Sequence, residues 1–291
     1  MSTRPCGLVV DSGAVPADRA EPGVEVIPLR IAIGAQMYRD GIDITADSFY
    51  ERLGAGETPI TSTPSPGEYL EAFRRTDAER VVCLTIPAKL SAMYESATLA
   101  ARLLAESGDP RRVDVVDTGN AAAGFGLIAR AAAELCAAGA PAAEVLDRVE
   151  AACSDVRMYG TLRTLRHLAR SGRVPSIAAG VSDLIGVRPI FELRHGEAHR
   201  EALVRGDRRV VRTFQRLASE NLPSGVPLWL LVFHSGAAGA AEALRRAVHE
   251  VVMVGRSETT SLTPVVGAYT GPGMTGFAAL PLSARELGGV P

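Results

Sequence analysis

The clearest pattern in the chain is an apolar run, a polar break and a second apolar segment with helical spacing. The run from Val81 to Ile86 is rich in Val, Leu and Ile and ends at Pro87, which is typical of a strand buried on both faces. The segment from Ala92 to Leu104 predicts a helix, with Ser91 at its N-cap position. Helix starts bind anions, and ligands of open α/β sheets gather beyond the carboxyl ends of the strands. The pattern therefore predicts an anion site at Ser91.

Strands and helices alternate through the first half of the chain. Strands are predicted at Gly7–Val10, Val24–Ile31 and Val113–Asp117, and the donor-rich segment Thr61–Pro66 is predicted as a loop that leads into a helix. The apolar periodicity elsewhere in the first half predicts four further helices. One starts at Thr45, a short one ends near Arg75, and the other two cover Asn120–Ala138 and Ala142–Ser154. Such alternation predicts a mainly parallel sheet with helices on both faces.

The pattern changes from about Arg157 onward. Gly186–Leu193 and Ala198–Arg205 predict two strands that pair antiparallel across a tight turn at His195. The later elements are predicted as a helix, a strand, a helix and a strand, at Asp207–Asn221, Leu228–Phe233, Ala237–His249 and Val251–Val254. The second half is therefore predicted to hold a mixed sheet, and the chain to form two α/β domains, residues 1–158 and 159–291.

Composition and charge argue against several classes of function. The chain has 291 residues and a formal charge of −2, without a long basic run, so we expect no nucleic acid partner. No apolar stretch reaches the roughly 18 residues of a membrane span, and no leader precedes the first strand, so we expect no stable membrane insertion. The four cysteines lack a Cys-x-x-Cys spacing and are expected to be reduced core thiols of a cytoplasmic protein.

Three sets of residues suggest a cofactor site, a metal site or a catalytic triad, but the sequence around them does not favour these functions. Gly124–Ala129 matches a dinucleotide fingerprint, but its glycines fall within the helical pattern and indicate helix packing. His195 and His199 flank a turn without a third ligand nearby, so we expect no metal site. A hydrolase triad of Ser91, His234 and Asp117 is an alternative, although the Gly-x-Ser-x-Gly motif is absent around Ser91.

A set of hydroxyl groups remains. Thr61 and Ser62 precede one predicted helix and Ser91 precedes another, so the three could offer neutral donors to one carboxylate. Alternatively, each hydroxyl caps its own helix. The spacing alone leaves both interpretations open.

Several short motifs follow one another along nearly the whole chain. They are Asp11–Gly13, Tyr38–Gly41, Thr61–Ser65, Leu90–Ala97, Leu165–Arg173, Arg188–Ile190 and Thr270–Gly273. Their order and spacing resemble those of the DegV family of bacterial fatty-acid-binding proteins. In that family the third and fourth motifs read Thr-Ser-Gln-Pro-Ser and Leu-Ser-Gly-Thr-Tyr-Gln-Ser-Ala, and the last reads His-Thr-Gly-Pro-Gly.

The resemblance implies two α/β domains with a long-chain fatty acid between them and no cofactor. The N-terminal domain would hold the carboxylate through Thr61, Ser62, Ser91 and the backbone of Ala92, and the C-terminal domain would enclose the acyl tail. It also implies that an ATP-dependent kinase phosphorylates the presented carboxylate for phospholipid synthesis. Arg205 matches a basic residue associated with the phosphorylated head group or with kinase docking, and Tyr269 and Thr270 are further candidates for handling the phosphate.

Two positions depart from the family pattern. Tyr269 stands before Thr270 where the family has His, and Ala92-Met93 replaces Gly-Thr. Because the family's His is associated with the carboxylate, its absence suggests a further alternative, a lipid-sensing module that has lost competence in phosphate transfer.

Overall fold

A computed structural model describes residues 4–14, 23–172 and 186–288. Within these ranges the strands are β1 Gly7–Asp11, β2 Val24–Ile27, β3 Arg30–Ile33, β4 Gln36–Arg39, β5 Pro59–Ser62, β6 Arg80–Thr85, β7 Arg112–Asp117, β8 Arg157–Thr161, β9 Val187–Arg194, β10 Glu197–Arg205, β11 Leu228–His234, β12 Val254–Ser261 and β13 Thr275–Pro281. The helices are α1 Ala46–Gly54, α2 Pro66–Arg75, α3 Met93–Glu106, α4 Ala122–Ala137, α5 Ala142–Asp155, α6 Arg166–Ser171, α7 Asp207–Asn221, α8 Ala238–His249 and α9 Pro264–Thr270.

The first sheet is fully parallel, in the order β2-β1-β6-β7. Strand β6 is buried from Val81 onward, as its continuous apolar composition predicts. Val9 and Cys83 face a cluster that includes α2 and α3, whereas Leu8 and Val82 face one that includes α4 and α5. The predicted parallel sheet with helices on both faces is confirmed.

The second sheet is mixed, in the order β10-β9-β8-β13-β11-β12. Among its described strands only β11 and β12 pair in parallel, and β9 and β10 form the predicted hairpin around His195. The predicted strand Val251–Val254 was wrong in position, because β12 begins at Val254. Val251 and Met253 lie in the exposed connection after α8, where a short apolar stretch mimics a strand.

A third, antiparallel sheet of order β4-β3-β5 was not predicted. The predicted strand Val24–Ile31 is in fact two strands in two sheets, divided at Pro28 and Leu29. Proline has no N–H to donate, and the Leu29 N–H donates instead to the Ser12 hydroxyl at 3.1 Å. The predicted loop at Thr61 and Ser62 is the end of β5, which pairs with β3.

Helix α4 lies between the parallel and the mixed sheet, and its buried residues belong to one cluster with both. A Cβ on Gly126 would approach the Ala14 carbonyl to 3.0 Å, and one on Gly124 would approach Asn120 Oδ1 to 3.0 Å. The glycines therefore serve close packing of this helix. The proposed domain boundary at Met158 falls within β8, the third strand of the mixed sheet.

None of the helices in the described ranges is both long enough and apolar enough to cross a membrane.

Candidate ligand-binding site

A cavity opens beyond the carboxyl ends of β1 and β6, between the parallel and the mixed sheet. Its volume is about 160 Å³. Both halves of the chain contribute to its apolar wall, which consists of Leu29, Ile86, Leu90, Met93, Ala121, Ala122, Met158, Leu162, Leu168, Phe191, Leu193, Ala198, Val265, Val266 and Met274.

The polar part of the lining consists almost entirely of hydroxyl groups. They belong to Thr61, Ser62, Thr63, Ser91, Tyr269 and Thr270. The Thr61 hydroxyl contacts the Tyr269 hydroxyl, and the Thr63 and Ser91 hydroxyls lie 3.3 Å apart. Neutral hydroxyls both donate and accept, so this end of the cavity can hydrogen-bond a carboxylate. Thr270 differs, because its hydroxyl donates to the Val266 carbonyl at 3.2 Å.

Ser91 is not the N-cap of the following helix, so that prediction was wrong by one residue. Helix α3 begins at Met93 and its cap position is Ala92, which makes no side-chain capping bond. The Ser91 side chain instead faces Thr63 and the cavity. A cap is identified from sequence by residue type, and Ala92 has no hydroxyl to mark it.

Thr61 and Ser62 do not cap a helix either. They lie in β5, and the cap of α2 is Ser65, which forms a capping box with Glu68. Of the two interpretations that the sequence left open, helix capping therefore does not hold for Thr61, Ser62 or Ser91. All three line the same cavity.

Other predicted site residues lie elsewhere. Ala92 is exposed and is not part of the cavity lining. Arg205 lies exposed at the end of β10, where it pairs with Val187, also outside the lining. Arg173, in the fifth motif, falls outside the described residues.

The sequence reasoning missed Thr63 and Asp11 as lining residues. Asp11 ends β1 and is 1% exposed, with its Oδ1 atom accepting from the Gly13 N–H at 2.8 Å. Burial, together with the nearby Asp40 carboxyl, raises the pKa of this carboxyl to about 7. The polar turn Asp11–Gly13 at a strand end was the available signal.

Asp40 fixes helix α9, which carries four of the lining residues. Its carboxylate accepts from the Ser12 hydroxyl at 2.7 Å and from the Val265 N–H at 3.2 Å. Burial raises the pKa of Asp40 to about 6. The Tyr50 hydroxyl adds a second tie by donating to the Leu262 carbonyl at 3.1 Å. These bonds attach α9 to the first half of the chain.

The residues of the alternative triad have separate partners. His234 Nδ1 accepts from the Ala237 N–H at 3.4 Å, and His234 is not part of the cavity lining. Asp117 accepts from the N–H groups of Ala88 and Gly119 at 3.0 and 2.9 Å. The structure therefore does not assemble a triad of Ser91, His234 and Asp117.

The described residues contain no group of three or more His, Cys, Asp or Glu side chains suited to hold a metal ion. No Lys, Arg or His belongs to the lining of the cavity among those residues. The chemistry of the site is thus that of hydroxyls, one buried acid and an apolar wall.

Comparison with known proteins agrees with this geometry. Residues 6–282 match the family model for "Uncharacterised protein, DegV family". The chain belongs to the DegV family. A DegV domain-containing protein of Streptomyces coelicolor is 30% identical over 280 residues, which cover 94% of this chain and 98% of that protein.

Solved DegV structures share the whole fold. The Thermus thermophilus DegV family protein, whose structure concerns fatty acid binding, is 31% identical with a TM-score of 0.83 and covers 96% of this chain and 100% of its own. A Thermotoga maritima protein whose structure reveals a fatty acid binding function is 26% identical with a TM-score of 0.82, covering 97% of this chain and 100% of its own. DegV proteins similar to this one therefore bind fatty acids.

Proposed function

We propose that this DegV protein is a long-chain fatty-acid carrier that presents the carboxylate of its ligand to an ATP-dependent kinase. The carboxylate would lie among the hydroxyls of Thr61, Ser62 and Ser91, and the acyl chain would fill the apolar part of the cavity. The observation that carries this proposal is the division of one cavity into a hydroxyl-bearing end and an apolar wall drawn from both halves of the chain. The fatty-acid-binding relatives support it.

The free energies that acyl-chain burial and head-group hydrogen bonds can supply support the role of a carrier. Burying about 14 methylenes at about 0.8 kcal/mol each gives on the order of 11 kcal/mol. Association costs consume roughly 4–15 kcal/mol, so the acyl chain is needed for any useful affinity. Hydrogen bonds to a charged head contribute roughly 1.5–3 kcal/mol each, which orients the ligand with its carboxylate at the hydroxyl end.

The position of the hydroxyl end suits delivery. Ser62 and Thr63 are exposed, so a bound carboxylate there remains within reach of a second protein. The kinase would transfer the γ-phosphoryl group of ATP to a carboxylate oxygen, which yields an acyl phosphate and ADP. The acyl phosphate would then enter phospholipid synthesis. The four free cysteines support a cytoplasmic site for this exchange.

Lipid analysis of the purified protein tests ligand binding. We expect native mass spectrometry to show one bound fatty acid of roughly 14–18 carbons, the length whose methylenes supply the free energy above. Ala121→Phe places a large ring at a partly buried lining position and should abolish the bound mass. Ala143→Phe is the matched control, because Ala143 is exposed on α5. Consistently empty wild-type protein would contradict the proposal.

A coupled assay separates the carrier from a lipid-sensing module. Loaded protein would be incubated with a fatty-acid kinase subunit and ATP, and acyl phosphate would be trapped with hydroxylamine. We expect an acyl hydroxamate only when protein, kinase and ATP are all present. Retention of the bound acid without any hydroxamate would favour the sensing module, in which Tyr269 in place of His has ended phosphate transfer.

A further inference from the structure

Asp11 is a buried acid in the wall of a cavity that we assign to an acidic ligand. Its side chain is almost fully enclosed, with 1% of the residue exposed. One carboxyl oxygen accepts the Gly13 N–H, whereas the other, Oδ2, is buried without a hydrogen-bond partner among the residues that the structure describes. A buried ionised carboxylate with an unpartnered oxygen is costly, and protonation removes most of that cost.

A second acid near Asp11 also disfavours its ionised form. Asp40 is a second acid, and its electrostatic interaction raises the pKa of Asp11. Tyr69 on α2 and Cys83 on β6 interact with Asp11 as well, and neither carries positive charge. The described lining residues include no Lys, Arg or His that could balance two negative charges. A ligand carboxylate in this cavity and an ionised Asp11 would therefore repel each other without a lining cation to offset the repulsion.

We propose that the cavity holds one negative charge, shared between ligand and Asp11, so that an anionic ligand binds only to the protein with a neutral Asp11. This inference rests on the proposed function insofar as the ligand is an acid. Two carboxyl groups in one water-poor site hold a proton between them for the same electrostatic reason. At high pH, Asp11 would thereby make the cavity prefer ligands with a neutral head group over ligands with an anionic head group.

The direction of the pH effect follows from proton linkage. Asp11 is already neutral below its pKa of about 7, and binding there requires no proton at this residue. Above that pH the free protein has lost the proton and must regain it upon binding. The dissociation constant for an anionic ligand should then rise by up to about tenfold for each pH unit.

Calorimetric titration with dodecanoate tests the inference. At about pH 8.5, titrations in two buffers of different ionisation enthalpy should reveal uptake of about one proton per ligand, and at about pH 6 close to none. Asp11→Asn should show no uptake at either pH and an affinity that is flat between them. Asp40→Asn should retain the uptake at about pH 8.5, and loss of the uptake in this variant but not in Asp11→Asn would overturn the assignment to Asp11. Asp47→Asn, at an exposed acid of α1, is the matched control and should behave as wild type.

Dodecanol provides a measurement that requires no variant. Its neutral head should bind wild-type protein without proton uptake and with the same affinity at both pH values. Dodecanoate binding that is tight but independent of pH would overturn the inference and leave the carrier function intact. Absence of binding by either ligand at both pH values would overturn the carrier function, and this inference with it.

Discussion

The Thr61 hydroxyl contacts the Tyr269 hydroxyl across the hydroxyl end of the cavity, although 208 residues separate them. A hydroxyl group can donate one hydrogen bond and accept others, so this pair can also hydrogen-bond a carboxylate. Tyr269→Phe should therefore weaken fatty-acid binding by the value of one hydrogen bond, about 0.5–1.5 kcal/mol or roughly 2–12-fold. Displacement of a fluorescent fatty acid measures this change.

The control for this substitution is Tyr94→Phe, because Tyr94 is similarly half-buried but lies outside the cavity lining. It should bind as wild type. Equal affinity of both variants would show that the Tyr269 hydroxyl does not contribute to the ligand site.

Ser91→Ala should lower ligand affinity without lowering stability. The Ser91 hydroxyl faces Thr63 and the cavity, whereas α3 has no side-chain cap to lose. Ser65→Ala is the counterpart, since it removes the capping box of α2 and should cost about 1 kcal/mol of unfolding free energy. Urea unfolding and ligand displacement on both variants separate the two roles. A stability loss in Ser91→Ala comparable to that of Ser65→Ala would contradict the assignment.

Gly267→Ala should destabilise the protein by roughly 1–3 kcal/mol through overpacking. A Cβ at this position in α9 would come within 2.6 Å of the Tyr50 ring and 2.9 Å of Phe49, both of which lie on α1. Thermal unfolding would detect the change as a lower Tm. Gly239→Ala in α8 is the control, because a Cβ there meets nothing within 4 Å. That exposed substitution should be neutral or stabilising, since alanine favours helix over glycine.

Buried acids should make the protein less stable as the pH rises from about 4 to above neutrality. The pKa of Asp40 is raised to about 6 and that of Asp11 to about 7, above the value of 3.8 for an ordinary Asp. The native state therefore binds more protons than the unfolded state in this range, and its stability falls as they are lost. Urea unfolding at several pH values should show that the unfolding free energy of Asp40→Asn falls less steeply with pH than that of the wild-type protein. An unfolding free energy of the wild-type protein that rises relative to that of Asp40→Asn over this range would contradict the sign.

Arg205→Glu should impair transfer of phosphate to the ligand without changing ligand binding. Arg205 is exposed at the end of β10 and outside the cavity lining, so its expected role is toward the kinase or the phosphorylated head group. The hydroxamate assay and fatty-acid displacement measure the two steps separately. Arg208→Glu, on the exposed start of α7, controls for a general effect of charge reversal. Loss of fatty-acid binding in Arg205→Glu would place this residue in the ligand site instead.

Local patterns were sufficient for much of the fold. The continuous apolar composition of β6 predicted a strand that is buried on both faces. The alternation of strands and helices around it predicted the parallel sheet. The β9–β10 hairpin could likewise be predicted from its turn at His195. Pairing between strands that are distant in sequence could not be predicted. Thr61 and Ser62 became strand residues only through pairing with β3.

The site was predictable in its hydroxyls and less so in its surroundings. Thr61, Ser62 and Ser91 line one cavity, as the shared-ligand interpretation requires, but the sequence assigned Ser91 a capping role that it does not have. Asp11 could not be assigned from sequence because its importance depends on burial and on the proximity of Asp40. Those properties arise from tertiary packing.

If the cavity holds a fatty acid as proposed, its shared wall would make the turnover of this protein depend on the supply of lipid. A ligand that touches both sheets is released when either one unfolds, so each occupied molecule gains RT ln(1 + [L]/Kd) in unfolding free energy. Molecules without lipid unfold more often and are degraded sooner. For a carrier of this construction, scarcity of fatty acid would reduce the number of carriers, and abundance would preserve them, without any change in gene expression.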